Sequence, residues 1–378
     1  MAINEIDVLI AFGHNAEPQY VRYFSDFQPV FETAGIAIPC QESASLLVGP
    51  ESYERALAHS KLRSVKRMIA FRESSAPKYE DNTFHSFSQL LNQYNQVKPI
   101  KKLGIVGWVF IPREVSDEIR SSLGVVAPHA EIIPADDIVD SLRAEKSIAE
   151  ISCLKEAARI SRAAFEHVLK NIKVGMTCEE LKGFALEKMY MEGAEGEAFP
   201  AWITCDTDTE YAISSSSKMI IRKGSIVQIQ LGARYEGYAS AIGRAVIMGE
   251  PTQAQKHIID SCIKAKTIVE NAINDNYGKP ARLVAEAHRH EIEKQGNLHM
   301  LVYGPCHSVG LVECENPWIE MGSEYILKEN MVFCIDVFLR DPKNNIGVRY
   351  EDMVLIRENE IEKLTNFPNT LITIPVEE

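Results

Sequence analysis

Residues 226–246 read IVQIQLGARYEGYASAIGRAV. Two runs that alternate apolar with polar or small residues, IVQIQL and ASAIGRAV, flank the turn-forming stretch ARYEGY, which is the pattern of a two-stranded antiparallel hairpin. With the chain reversing at Tyr235 and Glu236, Gln230 is expected directly opposite Ala241, and the face that carries them also carries Gln228, Gly232, Ala239 and Gly243. Two amides among small side chains make a surface with room and hydrogen-bonding capacity. Such a face suits the floor of a pocket for an organic ligand.

Moving outward, the hairpin is preceded by two helical patterns and followed by a second round of the same order. Ser147 with Glu150 and Thr177 with Glu180 have the spacing of capping boxes, so helices are expected through IAEISCLKEAARISRAAFEHVL and CEELKGFALEKMYMEG, with Gly193 as the stop. After the hairpin come two more helices, TQAQKHIIDSCIKAKTIVENAI and PARLVAEAHRHEIEKQ, and two strands, MVFCIDVFL and GVRYEDMVLIR. Two helix-helix-strand-strand blocks predict a quasi-duplicated α+β domain over residues 144–378, a repeat of order rather than of sequence. Before it, short apolar runs (IDVLIAF, ASLLVG, VKRMIAF, LGIVGWVF, AEIIPA) alternate with helical patterns such as ESYERALAHS and PREVSDEIRSSL, which predicts a smaller α/β domain over residues 1–143. SSSS at 214–217 reads as loop.

Composition narrows the class. A chain of 378 residues, 46% hydrophobic and 25% charged, has the balance of a soluble globular protein with enough length for two domains. The start, MAINEIDVLI, has no basic segment before its apolar run, and no apolar stretch approaches the ~20 residues that span a bilayer, so the expectation is a cytoplasmic protein without a membrane partner. Its 8 cysteines lack the close regular spacing of a disulfide framework and read as reduced thiols. A formal net charge of -13 would repel a phosphate backbone, which argues against a nucleic-acid partner.

Five segments in this order, RAEKSIAEISCLKEAARI, IRKGSIVQIQLGARYEGYASAIGRAV, GPCHSVGLVECENP, ENMVFCIDVF and GVRYEDMVLI, resemble the creatinase, prolidase and aminopeptidase P family. The resemblance covers roughly residues 140–360 well and the N-terminal domain loosely. It implies a C-terminal pita-bread fold and a homodimer. In the peptidases of that family two Asp, one His and two Glu hold a pair of divalent metals; carried over, these positions fall on Gln230, Ala241, His307, Asp336 and Glu351. An amide is a poor substitute for a carboxylate on a divalent ion and a methyl group is none, so the paired-metal site is not expected here. The replacement is coherent, because carboxylates clustered without a cation would repel by roughly 4 kcal/mol per pair at 4 Å and an effective dielectric near 20.

The same departure resembles creatinase, which works without metal. The position of its proton-transferring His falls at about Tyr211, and a phenol is a poor base at neutral pH but a reasonable acid or hydrogen-bond donor, which keeps Tyr211 among the candidate catalytic residues. Proton transfer is therefore expected from His307, Asp336 or Glu351, which the resemblance would gather in one pocket, with Gln230, Gln228, Glu315 and Arg349 contacting substrate. Asp336, in the apolar run MVFCIDVF, needs a buried partner, for which His307 or Arg349 is available. Cys205, Cys306, Cys314 and Cys334 lie in these segments, and Cys334 shares a strand face with Asp336; most buried cysteines are small core residues. Arg244 reads as structural.

Three functions follow as expectations. The first is a metal-independent, creatinase-like hydrolase, without cofactor, cleaving a C–N bond in a small guanidino, ureido or amidine-type substrate. The second is an Xaa-Pro peptidase-like enzyme with a residual mononuclear site on His307, Asp336 and Glu351, and the third a non-catalytic binding protein.

Overall fold

The computed structural model describes residues 5–73, 84–358 and 360–376. It separates into two compact units, Met1–Leu142 and Arg143–Glu378. Among the described residues no helix is long and apolar enough to cross a membrane, and the eight cysteines are free thiols.

The first unit is built on strands β1 (Val8–Gly13), β2 (Ala34–Pro39), β3 (Ser45–Val48), β4 (Ser64–Arg67), β5 (Lys102–Val106) and β6 (Glu131–Pro134), with helices α1 (Gln19–Ser25), α2 (Tyr53–His59), α3 (Phe87–Val97) and α4 (Arg113–Val126); α5 (Asp136–Ala144) closes it. The sheet runs β4-β3-β2-β1-β5-β6. β1, β5 and β6 are parallel, whereas β1-β2 and β2-β3 are antiparallel. Its inner strands β1, β2, β3 and β5 read as almost continuous apolar runs because both faces are covered, whereas the edge strands β4 and β6 are only partly buried.

The second unit begins with α6 (Ile148–Asn171) and α7 (Cys178–Met191), both opened by capping boxes, in which Ser147 and Thr177 accept from the amides of Glu150 and Glu180. Strands β7 (Gly196–Glu197), β8 (Trp202–Cys205), β9 (Ile226–Leu231), β10 (Ala233–Tyr235), β11 (Tyr238–Ala239) and β12 (Ile242–Met248) follow, then α8 (Gln253–Asp275), α9 (Arg282–Lys294), β13 (Cys306–Ser308), β14 (Glu315–Ile319), β15 (Val332–Asp341), β16 (Ile346–Ile356), β17 (Ile361–Lys363) and β18 (Ile372–Ile374). The large sheet has the order β14-β13-β15-β16-β12-β9-β8, with β17 on β16 and β18 on β12. Two triplets, β8-β9-β12 and β13-β15-β16, thus meet at the antiparallel β12-β16 pair, with α6 and α7 packed on the first half and α8 and α9 on the second. This duplicated α+β arrangement is the pita-bread fold.

The hairpin turn differs from the sequence expectation. The chain reverses at Glu236 and Gly237, both at positive φ (48° and 86°), so Tyr235 pairs with Tyr238 and Gln230 with Gly243 instead of Ala241. A two-residue turn with positive φ at both central positions matches the right-handed twist of the strands, and glycine satisfies the second position without strain. The register moves by two residues, so every side chain keeps its face and only the partners change.

Candidate active site

Strand register lines up one row of side chains across five strands of the large sheet. Asp336 of β15 pairs with Glu351 of β16, Glu351 with Gly243 of β12, Gly243 with Gln230 of β9, and Gln230 with Trp202 of β8. The next row on the same face begins with His307 of β13 opposite Cys334 of β15. Gly243 leaves room for the Gln230 carboxamide, which a Cβ at that position would push aside. Gln230 Nε2 donates to Glu351 Oε2, leaving Gln230 Oε1 and Glu351 Oε1 buried without hydrogen-bond partners although both residues are only 1% exposed.

His307 projects its Nε2 toward that orphaned oxygen. Nε2 lies 3.7 Å from Glu351 Oε1 and 3.3 Å from Glu313 Oε1. Nδ1 lies 3.0 Å from the Ser308 carbonyl, which can only accept, so Nδ1 carries a proton and Nε2 is the nitrogen offered to the carboxylates. Burial alone would lower the pKa of this imidazole, but the adjacent Glu313 carboxylate reverses the effect and holds it well above the usual histidine range. Burial pushes the Cys334 thiol upward. Glu313 was missed by the sequence reading; the signal was ECE at 313–315, where the two acids part company.

The remaining candidates divide sharply. Asp336 turns away from His307: Tyr303 donates to its Oδ2 at 2.8 Å, and Arg349 Nε approaches its Oδ1 to 3.0 Å in an ion pair without hydrogen-bond alignment. Burial raises the Asp336 carboxyl against the opposing pull of Arg349. Arg349 is committed further, donating to the Ala212 carbonyl at 2.6 Å and to Tyr303 at 2.5 Å among the rings of Trp202, Tyr303 and Phe338. Gln228 spends its side chain on the backbone of Arg349, accepting from its amide at 2.8 Å and donating to its carbonyl at 3.1 Å. Glu315 is bound by the buried cations Arg143 and Lys146. Tyr211 is 61% exposed on the loop after β8, next to the Ala212 carbonyl that Arg349 holds.

Behind the row, Arg244 is fully buried and donates to the carbonyls of Gly243 at 2.7 Å and Glu351 at 2.8 Å while pairing with Asp352 at 2.6 Å. Its role is structural: it fixes the backbone from which Glu351 projects.

The paired-metal donor set of the prolidase-type peptidases does not fit this face. Ala241 offers no donor and is packed with Cys334 and Met353, whose sulfur accepts the Ala241 amide at 3.4 Å. Gln230 presents its amide to Glu351, and Asp336 is ion-paired with Arg349 and accepts from Tyr303. A different group is close together: His307, Glu313, Cys334 and Glu351 each bring one ligand atom to within 4.8 Å of the others.

The same arrangement of elements occurs in proteins of known structure. The prolidase of Pyrococcus horikoshii superposes with a TM-score of 0.81 at 27% identity, over 98% of this chain and 97% of its own. An X-Pro aminopeptidase from Thermotoga maritima gives 0.83 at 23% identity, over 99% and 97%, and speaks for the fold. In sequence, the chain is 30% identical over 358 residues to the Xaa-Pro dipeptidase of Pyrococcus furiosus, covering 94% of each protein. These relatives overturn the expectation of a metal-independent, creatinase-like hydrolase: proteins aligned along nearly the whole chain are Xaa-Pro dipeptidases. Residues 152–358 match Metallopeptidase family M24. With fold, strand register and near-full-length similarity in agreement, the chain belongs to the metallopeptidase family M24.

Proposed function

We propose that the chain hydrolyses short Xaa-Pro peptides, dipeptides foremost, and does so with one divalent cation where its relatives' donor set provides for two. The observation that carries the reading is the pairing of His307 Nε2 with the orphaned Glu351 Oε1, two donors in family register on a face where Gln230 and Ala241 have removed two others and Arg349 engages the fifth, Asp336. A cation held there would polarise the scissile carbonyl and bring the pKa of a bound water toward 7. The residues do the rest. Ser308 O holds the His307 tautomer, and Gln230 holds one Glu351 oxygen so that the other points at the imidazole. Arg349, locked by Tyr303 and Ala212, keeps Asp336 as an ion-paired wall of the site, and Tyr211 at the exposed rim contacts the substrate. The chain works as a homodimer in the cytoplasm and needs no cofactor besides the cation.

A panel of Xaa-Pro dipeptides, the same dipeptides with Ala replacing Pro, and guanidino and ureido acids tests the reading. Release of free proline above the rate for Ala-terminated controls is the expected result; turnover confined to the guanidino or ureido acids contradicts it. The loss of a donor at Ala241 favours a second reading, a peptide-binding protein, which calorimetric binding of Xaa-Pro dipeptides without hydrolysis would support.

A further inference from the structure

We propose that His307, Glu313, Cys334 and Glu351 form a cation site of mixed nitrogen, oxygen and sulfur donors, fitted to a borderline-soft ion such as zinc. The inference rests on the single-cation reading above and deepens it by naming a ligand set. A tetrahedral ion with donors at about 2.0–2.3 Å needs them about 3.3–3.8 Å apart. The two His307–carboxylate separations, 3.3 and 3.7 Å, already lie in that interval, and all four ligand atoms fall within 4.8 Å of one another.

Three independent features orient the donors inward. His307 gives its Nδ1 proton to a backbone carbonyl, the arrangement that leaves Nε2 free to ligate and fixes the ring. Glu351 Oε1 is buried and lacks a hydrogen-bond partner, while its other oxygen is anchored by Gln230, so the unsatisfied oxygen cannot swing away. Cys334 is delivered by the ladder itself, opposite His307 on neighbouring strands, which holds the sulfur on rigid backbone. Glu313, 20% exposed, stands at the rim and gives an ion a way in. Nε2 faces two carboxylates that together hold a positive charge at this point, and a bound cation would take the place of the Nε2 proton. A sulfur completing the group makes a soft cation a better occupant than a hard one, which takes oxygen donors.

Cobalt(II) is the probe. The full-length protein, stripped with a chelator and dialysed, is titrated with Co²⁺ and followed by absorption. About one equivalent should bind with the visible bands of tetrahedral cobalt and a thiolate-to-cobalt charge-transfer band in the near ultraviolet. Cys334→Ser should abolish the charge-transfer band, and Glu313→Gln should weaken binding by about tenfold or more. Cys314→Ser, which alters an exposed thiol beside His307, should leave the band in place. No uptake by the parent, a parent spectrum without the thiolate band, or a band that survives Cys334→Ser overturns the proposal. Should Cys334→Ser fail to fold by circular dichroism, the parent spectrum and Glu313→Gln still decide. The two readings fail separately: a thiolate-cobalt site in a protein that leaves Xaa-Pro dipeptides intact sinks the activity, whereas proline release from a protein that shows no thiolate band sinks the site.

Discussion

Gln230 and Ala241 remove charge from the site in different ways. Gln230 keeps the shape of an acid and reverses the polarity of the atom that meets Glu351, converting a repulsive carboxylate pair into a hydrogen bond. Ala241 removes the side chain, and Met353 and Cys334 fill the space. Glu351 is left as the one acid of the row facing the imidazole. Glu351→Gln and His307→Asn should each slow proline release by about a hundredfold or more while the far-ultraviolet circular dichroism stays that of the parent. If both variants turn over at the parent rate, the chemistry lies elsewhere. The identities of His307, Glu351, Gln230 and Ala241 were legible in the sequence because they sit in motifs of fixed register. The destinations of Gln228, Glu315 and Asp336 were not, because each is decided by a partner far away in the chain: Arg349, Arg143 with Lys146, and Arg349 with Tyr303.

Elements show the same division between local and distant causes. The long helices α6, α7 and α8 and the strands β9, β12, β15 and β16 carry their own signals, capping boxes and alternation, and stand where the sequence puts them. β2, rich in small residues, and β13, three residues long, carry almost none and exist because neighbouring strands pair with them. The hairpin register was misplaced by two because the turn was centred on Tyr235-Glu236 when Glu236-Gly237 supplies the pair of positive φ angles. Asp352, on the face of β16 opposite Glu351, accepts both Arg244 and Lys266, so Asp352→Ala leaves the buried Arg244 without a carboxylate and Lys266 with Glu270 alone, and should cost about 3–5 kcal/mol in denaturant unfolding. A loss below about 1 kcal/mol would contradict the clamp. His288 of α9 is buried, and desolvation depresses its pKa to about 4. Its folded value is below the unfolded one, so the associated stability is complete above about pH 6.5 and is lost as pH falls toward 4, worth roughly 3 kcal/mol across that window at 1.36 kcal/mol per tenfold. His288→Leu should flatten the pH dependence of stability there; an unchanged slope would assign the dependence to other groups.

At the scale of the whole molecule, duplication sets where chemistry can occur. Two strand triplets meet at β12 and β16, and the Glu351-Gly243 pair lies on that seam, so the four proposed ligands come from the second half while Gln230 of the first half anchors Glu351 across it. The fold class was legible because five motifs recur in order; the donor set was not, since Glu313 and Cys334 become neighbours of His307 only when β13, β15 and their connections assemble. A homodimer is expected in sedimentation at micromolar concentration, and a monomer there would remove it from the account. The most direct test of the central claim is a cation titration of activity: the chelator-stripped protein receives zinc, cobalt or manganese in increments while proline release from an Xaa-Pro dipeptide is followed. The stripped protein should release no proline, and release should rise with added cation and saturate at about one cation per chain. Full activity in the stripped protein, or saturation only at two cations per chain, would contradict the single-cation reading.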